Sequence, residues 1–223
     1  IYDVGNIDHE HGITENMFSN LPRKKYTFLK THTHYKIHYE KILNKYNAKI
    51  IISLRDLRDM LISRYFHIMS DSKHWQYSIL KNLSFEEGFI KSLTHKQKET
   101  EQKPIEYYYY WINNWIRISK DKKYLVLWYD DYIKDPVKYI RNILDYTEFK
   151  NLSAAKIEMK IRSNLEKNEL NFKKNIKKYG KSKSTFRKGT VGEWKELFTK
   201  EIEFRFNQLL PGPIESILKE ELK

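Results

Sequence analysis

Three short apolar runs interrupt a chain that is otherwise rich in polar positions: "YTFL" at 26–29, "KIIISL" at 49–54 and "YLVLWY" at 124–129. Each is too short for a helix and is dominated by β-branched or aromatic side chains, so each predicts a buried strand. After each run the pattern turns polar and then helical. Behind "KIIISL", Leu57, Met60, Leu61, Tyr65 and Ile68 recur at helical spacing, and Asp56 is placed to cap that helix. Behind "YLVLWY", Val137, Ile140, Ile143 and Leu144 recur in the same way, and Pro136 suits a first helical turn. Residues 106–121 put Tyr108, Trp111, Ile112, Trp115 and Ile116 on one helix face. That aromatic stripe reads as core rather than as a platform for stacking bases. Residues 155–183 are more polar, helical or irregular, and end in "KKNIKKYGKSKS", which reads as a mobile surface loop. A last helix is predicted over "TKEIEFRFNQLL". Strands alternating with helices predict an α/β fold: a parallel β-sheet flanked by helices. No repeat and no shift of composition divides the chain, so residues 1–223 read as a single domain.

Composition narrows the chemistry. Hydrophobic residues make up 40% of the chain, enough for a folded core. There is no cysteine, which excludes a disulfide scaffold, a thiolate metal site and a cysteine nucleophile, and which fits a reducing compartment. No apolar run is long enough to span a bilayer, and the opening "IYDVGNIDHEHG" is too polar for a signal peptide. The formal net charge of +13 suits an anionic partner: nucleic acid, membrane phosphate, a sulfated polymer or a nucleotide. It equally suits a lysine-rich solvated surface.

In open parallel sheets, ligands bind beyond the C-terminal ends of the strands. Three polar stretches follow the predicted strands. "KTHTH" brings Lys30 and His32, two apart, to the same side of an extended backbone. An imidazole there can take a proton from a hydroxyl, and the ammonium can offset charge on a leaving group. His32 and His34 could instead bind a metal, though no third ligand is near them, and His34 alone reads best as a structural residue. Arg55 lies just before a helix N-terminus, where a guanidinium and backbone N–H groups make an anion site. Ser63, two turns along and roughly on the face of Asp56, can add a hydroxyl. Taken singly, Arg55 reads better as a surface partner of Asp56 or Asp59. Tyr129, Asp130 and Asp131 follow the third strand. Finally, "TFRKGTVGEW" places Arg187 and Lys188 before Gly189 and Gly192, so that side chains and a pliant backbone can converge on a phosphate.

Taken together, these segments resemble the cytosolic-type sulfotransferases that use 3′-phosphoadenosine 5′-phosphosulfate (PAPS). "FLKTHTHY" is similar to the family's Lys-Thr-His segment, and "IISLRDLRDMLISRYFH" to its "RDPRDVLVSRYH"-type strand and helix. "WINNWI…KKYLVLWYDDYIKDPVKYIRNIL" resembles its "W…ILYLxYEDMKxDP" stretch, and "FRKGTVGEWKELFT" its "FRKGxxGDWKNxFT" signature, the most specific of the four. The resemblance covers residues 26 to 206. It implies a P-loop-nucleotide-hydrolase-like sulfotransferase fold, PAPS as donor, 3′-phosphoadenosine 5′-phosphate (PAP) as product, no metal and a cytoplasmic location. It implies that Arg55 and Ser63 contact the 3′-phosphate, with Arg187, Lys188 and Gly189 on its other side. Tyr129 would lie near the adenine, His32 would be the general base, and Lys30 would stabilise charge at the sulfuryl group or the leaving phosphate.

The chain departs from that pattern in one large respect. The glycine-rich "PKSGTTW"-like loop that cradles the 5′-phosphosulfate does not occur in it. The expectation is that this loop and the first strand precede residue 1. His34 stands where the family often has a Leu-Pro pair, and Glu193 where Asp is usual. The expected acceptor is a small molecule, lipid or carbohydrate bearing a hydroxyl, with no nucleic acid as partner. The tyrosines and tryptophans suit a phenol, a sterol-like alcohol or a lipid-chain hydroxyl, and the basic surface suits an anionic polysaccharide. Residues 66–104 and 155–183 are the loops expected to select among them. Two other readings stand beside this one. A phosphoryl-transfer protein on a related sheet would need a "GxxxxGKS/T" loop and a magnesium-binding acid, for which Asp130 is the candidate. A basic nucleic-acid-binding module would bind nucleic acid with steep salt dependence.

Overall fold

The computed structural model describes residues 13–19, 21, 29–30, 34–96, 102–120, 124–149, 153–179 and 189–219. Two strands, β1 (Ile50–Leu54) and β2 (Tyr124–Trp128), pair in parallel, with Ile50 opposite Tyr124 and Leu54 opposite Trp128. Of the expected strand at 26–29, only Leu29 lies among the described residues, and it is not in a strand.

Helices carry the rest of the described chain. Ahead of the sheet lie α1 (Glu15–Ser19) and α2 (His38–Lys45). Between the strands lie α3 (Leu57–Ser70), α4 (Tyr77–Leu80), α5 (Phe85–Thr94) and α6 (Pro104–Ser119). After β2 come α7 (Tyr129–Lys134), α8 (Pro136–Tyr146), α9 (Ala154–Tyr179), α10 (Trp194–Leu197) and α11 (Lys200–Leu209), then a 3₁₀ turn at Ile214–Ile217.

Local chemistry explains the boundaries. Asp56 caps α3 by accepting the Arg58 N–H at 2.8 Å. Asp135 caps α8 by accepting the Lys138 N–H at 2.9 Å, with Pro136 in the first turn. Ser84 and Glu87 form a reciprocal capping box at the start of α5. Thr199 caps α11 by accepting the Ile202 N–H at 3.1 Å.

Side chains alternate across the sheet, so Ile50, Ile52 and Leu54 face one way with Tyr124, Val126 and Trp128. That face joins the main core, which also takes Leu57, Leu61 and Ile62 of α3, Phe89 of α5, and Ile112, Trp115 and Ile116 of α6. The aromatic stripe of α6 is therefore packing surface. Ser53 points to the opposite face, where its hydroxyl lies 3.2 Å from the Tyr139 hydroxyl of α8. Helices thus cover both faces of the parallel pair. Ile13, Tyr39 and Leu43 form a smaller cluster that fastens the α1–α2 region.

Two expectations change. Residues 173–179, read from their lysines as part of a loop, continue α9 to Tyr179. The segments expected to be acceptor-selecting loops, 66–104 and 155–183, are largely helical where described. Among the described residues, no helix is long and apolar enough to cross a membrane.

Candidate functional site

The C-terminal end of β1 leads directly into the site. Arg55 follows Leu54 and precedes the cap of α3, so a two-residue turn sets the start of its side chain. Its guanidinium carbon lies 4.8 Å from the centre of the Tyr129 ring, the first residue after β2. Parallel register makes this pairing inevitable: Leu54 and Trp128 are partners, so the residues that follow them emerge side by side. Arg55 Nη2 donates to the Thr190 carbonyl at 3.1 Å. Its Nε is buried and has no hydrogen-bond partner among the described residues. Burial raises the Tyr129 phenol above its usual pKa, and the Arg55 charge works against that rise.

The segment after the expected phosphate loop is fastened to the first turn of α3. Asp59 is 1% exposed and accepts two backbone N–H groups, Gly192 at 2.6 Å on Oδ2 and Trp194 at 3.0 Å on Oδ1. Gly189 and Gly192 have φ of +67° and +79°, the left-handed region that side chains with a Cβ rarely enter. Arg58 closes the arrangement. Its guanidinium lies 3.6 Å from the Trp194 ring centre, and its Nη2 meets Asp56 Oδ2 at 2.6 Å. Arg55 therefore does not pair with Asp56 or Asp59: Arg58 holds the first, and backbone amides hold the second.

Ser63 is half-buried and lies one helical turn beyond Asp59, on the face of α3 that meets residues 192–194. Asp130, next to Tyr129, has a buried Oδ1 without a hydrogen-bond partner among the described residues. Burial raises its pKa; Lys219 opposes this, and the charges of Asp56 and Asp59 add to it.

The structure thus brings Arg55, Tyr129 and the loop from Gly189 to one place at the strand ends, with Ser63 on the face of α3 that meets that loop. Lys30 is described and exposed, and no described hydrogen bond or ion pair joins it to this group. His32, Arg187 and Lys188 lie outside the described residues. His34 packs edge-on against Tyr107, with ring centres 4.3 Å apart, and burial pushes the Tyr107 phenol up to about 12. Among the described residues, no three histidine, aspartate or glutamate side chains group as metal ligands. Sequence reasoning named Asp59 only as a surface partner of Arg55 and passed over Arg58. The one available signal was an acid within the first turn of a helix that is otherwise largely apolar there.

Comparison with known proteins places this geometry. The model of the sulfotransferase domain matches residues 9–211. A flavonol 3-sulfotransferase of Flaveria bidentis is 27% identical over 209 residues, covering 88% of this chain and 64% of the relative. Sulfotransferase 2A6 of Mus musculus is 28% identical over 178 residues, covering 75% of this chain and 57% of the relative. The chain therefore spans less than two thirds of the length of either relative. Among solved structures, retinol dehydratase in complex with androsterone and inactive cofactor PAP superposes with a TM-score of 0.61. It is 22% identical, over 92% of this chain and 57% of that one. A mouse sulfotransferase complexed with PAP superposes with a TM-score of 0.57, at 19% identity over 87% of this chain and 67% of that one. At those identities the superpositions speak for the fold. The domain match, which takes in almost the whole chain, speaks for the family: the protein belongs to the sulfotransferase domain family.

Proposed function

We propose that the protein transfers a sulfuryl group from PAPS to an acceptor hydroxyl, or to an amine. The observation that carries this reading is the position of Arg55. It sits between the Tyr129 ring and the Thr190 carbonyl, at the C-terminal edge of a parallel sheet, in a chain of the sulfotransferase family. Its buried Nε has no acceptor among the described residues, and the adjoining loop has two glycines in the left-handed region. A guanidinium with a spare, desolvated donor beside a loop of that shape fits a phosphate.

When bound, PAPS supplies an activated sulfuryl group. The residues of this chain do the remaining work. Arg55 and Ser63 hold the 3′-phosphate from the sheet side, and Arg187, Lys188 and Gly189 hold it from the other. Tyr129 lies along the adenine. His32 takes the proton of the acceptor hydroxyl as the new S–O bond forms. Lys30 offsets the charge that collects on the leaving phosphate as the old S–O bond breaks. In-line transfer needs a base on one side of the sulfur and positive charge on the other, which these residue types supply. The acceptor is a small hydroxylated molecule, supported by the flavonol in one relative's name and by androsterone in a structural neighbour.

Calorimetry with two nucleotides tests the reading. The protein should bind PAP more tightly than adenosine 5′-phosphate, which lacks the 3′-phosphate. Arg55→Ala should weaken PAP binding about ten- to a hundredfold, the value of one or two charge-assisted hydrogen bonds, and spare the other nucleotide. His32→Ala should abolish transfer of labelled sulfate and leave PAP binding unchanged. Equal affinity for the two nucleotides in the unaltered protein refutes the 3′-phosphate site, and transfer that survives in His32→Ala refutes the base.

A further inference from the structure

The contacts of Asp59 point to a role beyond packing. A carboxylate that is 1% exposed ordinarily needs a cation, and the nearest cation in sequence, Arg58, is committed to Asp56. Asp59 is instead satisfied by two backbone N–H groups that lie 133 and 135 residues away. They belong to Gly192 and Trp194, one residue apart on either side of buried Glu193. Both N–H groups reach one carboxylate because Gly192 adopts φ +79°. A third tie, Arg55 to the Thr190 carbonyl, grips the same loop two residues earlier.

We infer that Asp59 is a positioning residue: it locks the backbone at 192–194 against α3 and so holds the loop at Gly189 and Thr190 where it can meet a 3′-phosphate. This rests on the nucleotide site proposed above. Asp59 faces the loop and touches no nucleotide itself. Its effect runs through the loop, so it should set the preference for a 3′-phosphorylated nucleotide and not nucleotide affinity in general. The charge at this end of α3 suits the task. Asp59 stands in the first turn of the helix, where the N–H groups favour a carboxylate.

The test uses Asp59→Asn, which keeps the shape and removes the charge and one acceptor. Gly192→Ala loosens the same latch from the loop side. Its new Cβ would meet nothing nearer than the Lys195 side chain at 3.9 Å, so its effect comes from the backbone angle alone. Both variants should speed amide hydrogen exchange at Gly192 and Trp194. Both should also reduce the preference for PAP over adenosine 5′-phosphate by about tenfold or more, the worth of a charge-assisted hydrogen bond. A general loss of structure would weaken both nucleotides together, so the ratio separates positioning from stability. If Asp59→Asn does not fold, Gly192→Ala carries the same comparison. Faster exchange with an unchanged ratio overturns the inference, as does unchanged exchange. If the unaltered protein binds the two nucleotides equally, the 3′-phosphate site itself fails, and the exchange data still report the latch.

Discussion

Replacing Arg55 with alanine removes two contacts that the structure defines: the 3.1 Å bond to the Thr190 carbonyl and the ring contact with Tyr129 at 4.8 Å. The hydrogen bond is worth about 1 kcal/mol at a half-buried position. The cation–π contact is worth about 0.5–1 kcal/mol where solvent still reaches the pair. Arg55→Ala should therefore cost about 1.5–2 kcal/mol without any ligand, lowering Tm by about 3–8 °C in a chain of this size. A double-mutant cycle in urea separates the parts. Arg55→Ala with Tyr129→Leu should show a coupling of about 0.5–1 kcal/mol. Arg55→Ala with Asp56→Ala should show almost none, because Arg58 holds Asp56 through Nε at 3.0 Å and Nη2 at 2.6 Å. Coupling to Asp56 that matched or exceeded coupling to Tyr129 would refute this, and would make Arg55 a surface ion-pair partner instead of a group free for an anion.

The same reasoning yields two further expectations. Asp130→Asn should stabilise the protein near neutral pH: burial raises the folded-state pKa of Asp130, so the native state holds that proton more tightly than the unfolded chain, and stability drains away as pH rises through the raised value. The gain in Tm should shrink as the pH falls to the ordinary aspartate pKa of about 4, and a gain of constant size down to acid pH would show that the cause is not ionisation. Gly212→Ala should destabilise by about 1–3 kcal/mol, since its Cβ would stand 2.5 Å from the Tyr109 hydroxyl, which is itself bonded to Ser216 at 3.0 Å. Adding Tyr109→Phe should restore most of the loss in thermal melts, and failure to do so would locate the strain elsewhere.

Where the fold was legible in the sequence, the signal was local. Asp56 before an apolar stripe and Pro136 after an aspartate each state a helix start within a few residues, and both hold. "KIIISL" and "YLVLWY" were recognisable because their apolar residues run almost without polar interruption. The lysines of 173–179 misled because charge marks exposure, and an exposed helix is as charged as an exposed loop. At the site, Arg55, Ser63 and Tyr129 could be found from their places at strand ends and helix turns. Asp59 could not, because its partners are backbone amides. Main-chain N–H groups carry no residue identity, and a separation of 133 residues leaves no spacing to detect.

That separation governs the order in which the molecule can be completed. A chain emerges from the ribosome at about 5–20 residues per second, N-terminus first. Asp59 is exposed to the cell well before Gly192 and Trp194 have been made. During that interval α3 cannot bury this carboxylate without leaving both of its oxygens unsatisfied. The docking of α3's first turn, and with it the turn that carries Arg55, therefore waits until Gly192 and Trp194 have been made. A nascent or prematurely ended chain that stops short of Gly192 would hold both described strands but leave Asp59 without its partners, at the place where the finished protein keeps its site.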